Sequence, residues 1–167
     1  MRSRQRFAAI VVPAAMLLCF AAAAFGLPPF TTAPKSAPGS GRQAELFGAA
    51  AGCHATFDRF VVRARLATPG YDARYASRIV ADPSGQAVAL VGTKRIRLLV
   101  RQARGHTSGG TNLLPSVVTP RCSNLLQVKK VGDFEGIVSF GLGLRRKTGF
   151  RVFRLTGPTR VVIDVAH

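Results

Sequence analysis

Along most of this chain apolar and polar residues alternate every second position, the pattern of strands with one face buried. In Asp58–Arg65 (DRFVVRAR), Phe60, Val62 and Ala64 share one side with Asp58 at its edge; Arg59, Val61, Arg63 and Arg65 take the other. Lys94–Arg101 (KRIRLLVR) repeats the device, setting Ile96, Leu98 and Val100 against Arg95, Arg97 and Arg101. Arg160–Val165 aligns Val161, Ile163 and Val165. Turn residues punctuate these runs. Asp82-Pro83-Ser84-Gly85 parts Arg78–Val80 from Ala87–Leu90, and Gly157-Pro158 parts Phe150–Leu155 from Arg160–Val165, so each reads as a hairpin connection. Asp133–Leu144 reads as one strand ending in a glycine-loosened bend, and Gly105–Asn112 as a loop. Short strands at even spacing predict an all-β sandwich, mostly antiparallel.

The beginning of the chain follows another pattern. Met1–Arg6 is basic, Phe7–Phe25 is an apolar run, and Ala22 and Ala24 supply the small residues a signal peptidase needs, with cleavage near Ala24. Kept in place, the same 19 residues are long enough to anchor the chain in a bilayer, although Pro13 weakens that helix. Either reading exports the remainder. Leu27–Gly41 (LPPFTTAPKSAPGSG) reads as a flexible spacer and Arg42–Gly52 as a transition, either a short helix or loose chain. The expected organisation is a signal or anchor over residues 1–24, a Pro/Ser/Ala-rich linker over 25–52, and one folded domain over 53–167. Cys19 lies in the apolar run, which leaves Cys53 and Cys122 to pair as a disulfide in an oxidising compartment. Closing so long a loop is worth ~4 kcal/mol on the chain-entropy account.

Charge adds a partner to this picture. The 167 residues carry 24 Lys and Arg against 7 Asp and Glu, a formal +17. Seven acids leave few members for carboxylate pairs or acidic metal cages. Arg59, Arg63, Arg65, Arg95, Arg97 and Arg101 are the candidate ligand contacts. On one sheet they would form a cationic surface for an anionic envelope polymer, and binding would weaken steeply with salt. Lys129-Lys130 and Arg145-Arg146-Lys147 add loop clusters. The alternative is a solvated outer face, with arginine serving solubility and edge protection. Nucleic acid is disfavoured by the export signal and by the lack of aromatics among the basic runs. Phe57, Phe60, Phe140 and Phe153 read as core. Tyr71 and Tyr75 can share one face of an extended segment, either as a sugar-stacking platform or as a roof on the core with wetted hydroxyls.

Catalytic and cofactor motifs fail on inspection. Gly105 and Gly110 are spaced like a phosphate loop, but Thr111 stands where Lys is required. Ser108-Gly109 resembles part of a nucleophile elbow, yet His106 replaces its first glycine. Gly141-x-Gly143 lacks a third glycine, since Arg146 stands there. His54, His106 and His167 lack metal-ligand spacing, so no metal, cofactor or catalytic residue is assigned. One rival is an envelope hydrolase joining His106 and Ser108 to Asp133 or Glu135, which requires those groups to converge. A third class is a protein-interaction subunit using exposed sheet edges.

The segments Ala55–Leu66 (ATFDRFVVRARL), Pro69–Tyr71, Arg95–Val100 (RIRLLV), Asp133–Leu144 (DFEGIVSFGLGL) and Phe150–Val165 (FRVFRLTGPTRVVIDV) together carry a family resemblance. In that order, across residues 53–167, the chain resembles the AMIN-like domain of exported actinobacterial proteins, a relative of the AMIN domain found beside cell-wall amidases. The resemblance implies a β-sandwich and a non-catalytic role at the cell envelope, with peptidoglycan as a class of ligand. It brings no catalytic residues. No amidase follows His167 in this chain, so delivery of an attached enzyme is not the expected role.

Overall fold

A computed structural model describes residues 26–167; the signal or anchor expected over residues 1–24 lies outside the described residues. The described chain runs through β1 (Lys35–Ala37), β2 (Ala44–Cys53), β3 (Phe57–Arg65), β4 (Gly70–Tyr75), β5 (Lys94–Arg101), β6 (Ala103–Arg104), β7 (Val117–Val118), β8 (Leu125–Phe134), β9 (Ile137–Leu144), β10 (Phe150–Leu155) and β11 (Thr159–Ala166). These form a six-stranded sheet, β1-β4-β5-β9-β8-β7, and a five-stranded sheet, β10-β11-β3-β2-β6. Every pairing is antiparallel except the short parallel contact of β2 with β6.

Strand alternation builds the core as the pattern predicts. Phe60, Val62 and Ala64 of β3, Ile96, Leu98 and Val100 of β5, and Val161, Ile163 and Val165 of β11 are all buried between the sheets. Phe60 meets Phe140 of β9 edge-on across the interface, with ring centroids 5.4 Å apart. Each such ring removed from water contributes about 2–3 kcal/mol, which no single surface pair matches. The arginines of β3 and β5 point the other way. Asp58 is fully buried rather than at the edge, because its Oδ2 accepts the amides of Asn124 at 2.6 Å and Leu125 at 2.8 Å. The Cys53–Cys122 disulfide joins the end of β2 to the segment before β8, bridging the two sheets across 69 residues.

The tyrosines of β4 reinforce the same junction. Both pack against the core. The Tyr71 hydroxyl donates to the Val152 carbonyl at 3.2 Å, and the Tyr75 hydroxyl donates to that of Thr148 at 2.8 Å. Burial pushes both phenols above their ordinary titration range. The two rings roof the core and tie one sheet to the other.

Three expectations need correction. Residues 27–52 are not a spacer: β1 pairs with β4, and β2 lies beside β3 with Ala44 and Leu46 fully buried. Pro34 and Pro38 flank β1, which suits a short edge strand. From Gly48 to Gly52 both faces of β2 are small, with Ala49 and Ala51 against the core and Gly48, Ala50 and Gly52 opposite, so hydrophobic alternation marks little of the strand. Asp133–Leu144 is not one strand but the β8–β9 hairpin, turned by Glu135 and Gly136 at φ 48 and 75. Positive φ at both centres is the geometry of a tight hairpin turn. Arg78–Leu90 makes the expected hairpin but not two full strands. Its antiparallel bridge Val80↔Ala87 is joined by the backbone bonds Ala81 N to Gln86 O at 2.8 Å and Val88 N to Ile79 O at 2.9 Å, and Asp82 N donates to Val131 O at 2.9 Å. Ile79 and Leu90 are buried with Val131 over the outer face of the six-stranded sheet. Gly141 makes room for it, since a Cβ there would lie 2.8 Å from Ile79.

Candidate functional site

The arginines of β3 and β5 belong to different sheets, so the joint cationic surface considered for them does not form. Their pairing separates them further. On β3, Arg59 donates to both Asp164 oxygens at 2.6 and 2.9 Å, and Arg151 of β10 donates to the same carboxylate at 2.8 Å. This Arg-Asp-Arg row crosses β3, β11 and β10 in register. Phe30 lies under Arg151 at 4.3 Å and Phe57 under Arg59 at 5.0 Å, so aromatic faces cover the row and Asp164 has no exposure. The hydrogen bond to Asp164 raises the Arg59 pKa further. Arg65 binds Glu45, as does Arg104 at 3.2 Å, and this holds the Glu45 carboxyl below its ordinary 4.5, the Arg65 hydrogen bond being the main cause. Arg97 reaches Asp82 at 3.2 Å; Arg101 lies 3.9 Å from Asp72, which Arg74 also binds.

Arg63 and Arg95 complete the set, and neither has an acid within ion-pair distance among the described residues. Arg63 of β3 stands directly beside Arg160 of β11 in the ladder. Two cations facing each other across strands repel. Both line a surface cavity of about 360 Å³ with Phe47, Ala50, Val61 and Pro158. Among the described residues the one side-chain hydrogen bond here is local, from Arg160 Nε to the Pro158 carbonyl at 3.1 Å. The cleft therefore offers two guanidinium groups, an aromatic edge and a floor of small apolar residues. A carboxylate would meet paired donors there, and the apolar face of a sugar would meet Phe47.

Arg95 belongs to a second collection of cations at the far end of the sandwich. β5 starts there with Lys94, β9 ends there in Arg145-Arg146-Lys147, and the segment before β8 brings Arg121. Backbone bonds fix these pieces together: Arg145 N donates to Asn124 O at 2.9 Å, Thr93 N to Leu144 O at 2.8 Å, and Ala76 N to Arg95 O at 3.0 Å. Arg78 follows two residues after Ala76. None of these seven cations has an acid partner among the described residues. Sequence alone marked Arg145–Lys147 as a cluster. The others join it because antiparallel strands bring alternate ends to one rim.

Of the hydrolase constellation, two members meet. His106 Nδ1 lies 3.0 Å from Asp133 Oδ2, and Asp133 also accepts the Gly105 amide at 3.1 Å. Ser108 is exposed in its loop and makes no hydrogen bond to His106, so the pair fastens the loop to β8. Cys53, Asp58 and Cys122 lie together, with both sulfurs engaged in the disulfide.

The described residues thus form a two-sheet β-sandwich closed by one disulfide, with cations that lack acid partners gathered on its surface. The chain belongs to the AMIN-like domain family, whose model matches residues 44–167. The match starts at the first residue of β2, in agreement with the strand that the glycine- and alanine-rich segment forms. AMIN-like domains are cell-wall-associated and generally non-catalytic. No curated protein and no solved structure matches the chain.

Proposed function

We propose that this is an exported, non-catalytic module that holds its protein to the cell wall by binding an anionic wall polymer, peptidoglycan being the leading class, in the Arg63–Arg160 cleft. The observation that carries the reading is the adjacency of two unpaired guanidinium groups on a face whose other arginines are paired with acids. A protein keeps a repulsive pair where a ligand relieves it. The carboxylates of peptide stems supply the anion, and the sugar backbone supplies apolar surface for Phe47. The remaining sequence candidates take other roles in this reading. Arg59, Arg65, Arg97 and Arg101 neutralise the protein's own acids, and Tyr71 and Tyr75 brace the sheets.

The test is retention of the purified domain on isolated cell wall at rising salt. Binding through a few charge contacts falls steadily as salt rises. The double variant Arg63→Ala/Arg160→Ala should lose most retention while keeping its fold. Retention at the level of the unsubstituted domain would remove the cleft from the account.

A further inference from the structure

We propose that the seven-cation rim docks on an anionic lipid surface, the phosphate headgroups of the membrane beside which the exported chain emerges. This surface is separate from the Arg63–Arg160 cleft and does not depend on it.

The path of the chain supplies the first argument. Thr31 and Phe150 form an isolated bridge, with backbone bonds of 3.2 and 2.9 Å in the two directions. The chain therefore enters the domain at the end where β10 starts. Lys147 precedes Phe150 by three residues, which keeps it within about 10 Å of that bridge. The apolar run ends at Phe25, six residues before Thr31, a span of about 20 Å at most. A chain that keeps the run thus carries the rim at the bilayer face. The opposite end is a β9 length further off, about 26 Å. Leu27, 51% exposed, adds an apolar side chain at the point of entry.

Charge and shape supply the second argument. Cations near an anionic leaflet contribute about 1 kcal/mol each, within a Debye length of roughly 8 Å. The rim has several long, exposed side chains and no exposed acid among the described residues. Well-formed cavities among the described residues lie away from it: beside Phe134, beside Pro38 and Tyr71, and at Arg63–Arg160. A spread of long cations without acid partners suits a plane of mobile phosphates better than a threaded polymer. A cleaved chain would rely on the rim alone.

The experiment uses Gly26–His167, which contains both sheets, the core and the disulfide. It is sedimented with vesicles of phosphatidylglycerol and phosphatidylcholine, or of phosphatidylcholine alone, at about 0.1 M salt. The expected result is co-sedimentation with the anionic vesicles only, weakening as salt rises. Arg145→Glu/Arg146→Glu/Lys147→Glu should lower partitioning at least about tenfold, and the glutamine equivalents by a smaller factor. Arg63→Ala/Arg160→Ala should leave it unchanged. Equal binding to neutral vesicles, or undiminished binding by the charge-reversed variant, would overturn the proposal. So would rim-dependent retention on lipid-free cell wall without vesicle binding, which would assign the rim to a polymer. Because the cleft is tested on cell wall with other variants, either proposal can fail alone.

Discussion

Two rows on the outer face of the five-stranded sheet, parted by the row of Val61, Val162 and Phe153, put arginine to opposite uses. In one row Arg59 and Arg151 flank Asp164, and aromatic rings close over all three. Four residues along β3, Arg63 meets Arg160 with no acid between them. The residue type and the strands β3 and β11 are the same, so the pattern of charge along the chain cannot distinguish the rows. What differs is the residue that β11 places opposite. The first arrangement removes charge from the surface and fixes three strands in register. The second leaves charge exposed at a cost in stability, which makes it the place to seek a ligand.

The comparison can be broken most forcefully at Asp164. Asp164→Ala would leave two guanidinium groups facing each other under aromatic rings, an expected loss of about 3 kcal/mol in unfolding free energy by urea titration. A loss below about 1 kcal/mol would show that the row is no more structural than an ordinary surface pair. Glu45 sharpens the same point by pH. Its folded pKa is depressed, so its contribution is complete above the ordinary carboxyl value and is lost as pH falls through the folded one. Stability of the unsubstituted domain should therefore fall below about pH 4.5 more steeply than that of Glu45→Gln, as followed by thermal melts. Parallel acid limbs would mean that Arg65 and Arg104 do not hold this carboxylate in solution.

Smaller effects are expected where cations are free. Arg160→Glu turns a like-charge neighbour into an ion pair and should raise stability by about 0.5 kcal/mol. Arg146→Ala on the rim should stay within about 0.5 kcal/mol of the unsubstituted domain, because the side chain engages no acid. A larger loss there would mean that the rim is part of the scaffold.

Which parts of this arrangement were legible beforehand follows from how local each signal is. β3 and β5 announce themselves because large apolar residues alternate with arginine over eight or nine positions, and β11 through its β-branched run Val161–Val165. The disulfide follows from an export pattern that leaves two cysteines. β2 was hidden, since alanine and glycine on both faces from Gly48 to Gly52 give little amplitude to the alternation. The β8–β9 turn was hidden because Glu135 occupies a positive-φ site usually marked by Asn or Asp. The site was harder still. Whether β3 and β5 share a sheet, and whether Arg63 faces an acid or another arginine, depends on partners roughly 40 to 100 residues away. Alternation predicted the outward face correctly but carried no information about its neighbours.

The most direct test measures both properties of one variant. Arg160→Glu is assayed for retention on purified peptidoglycan and for its unfolding midpoint in urea. The account predicts retention at least about tenfold weaker with stability equal or higher, since about 1.4 kcal/mol corresponds to a factor of ten. Undiminished retention, or weakened retention accompanied by an equivalent loss of stability, would contradict it.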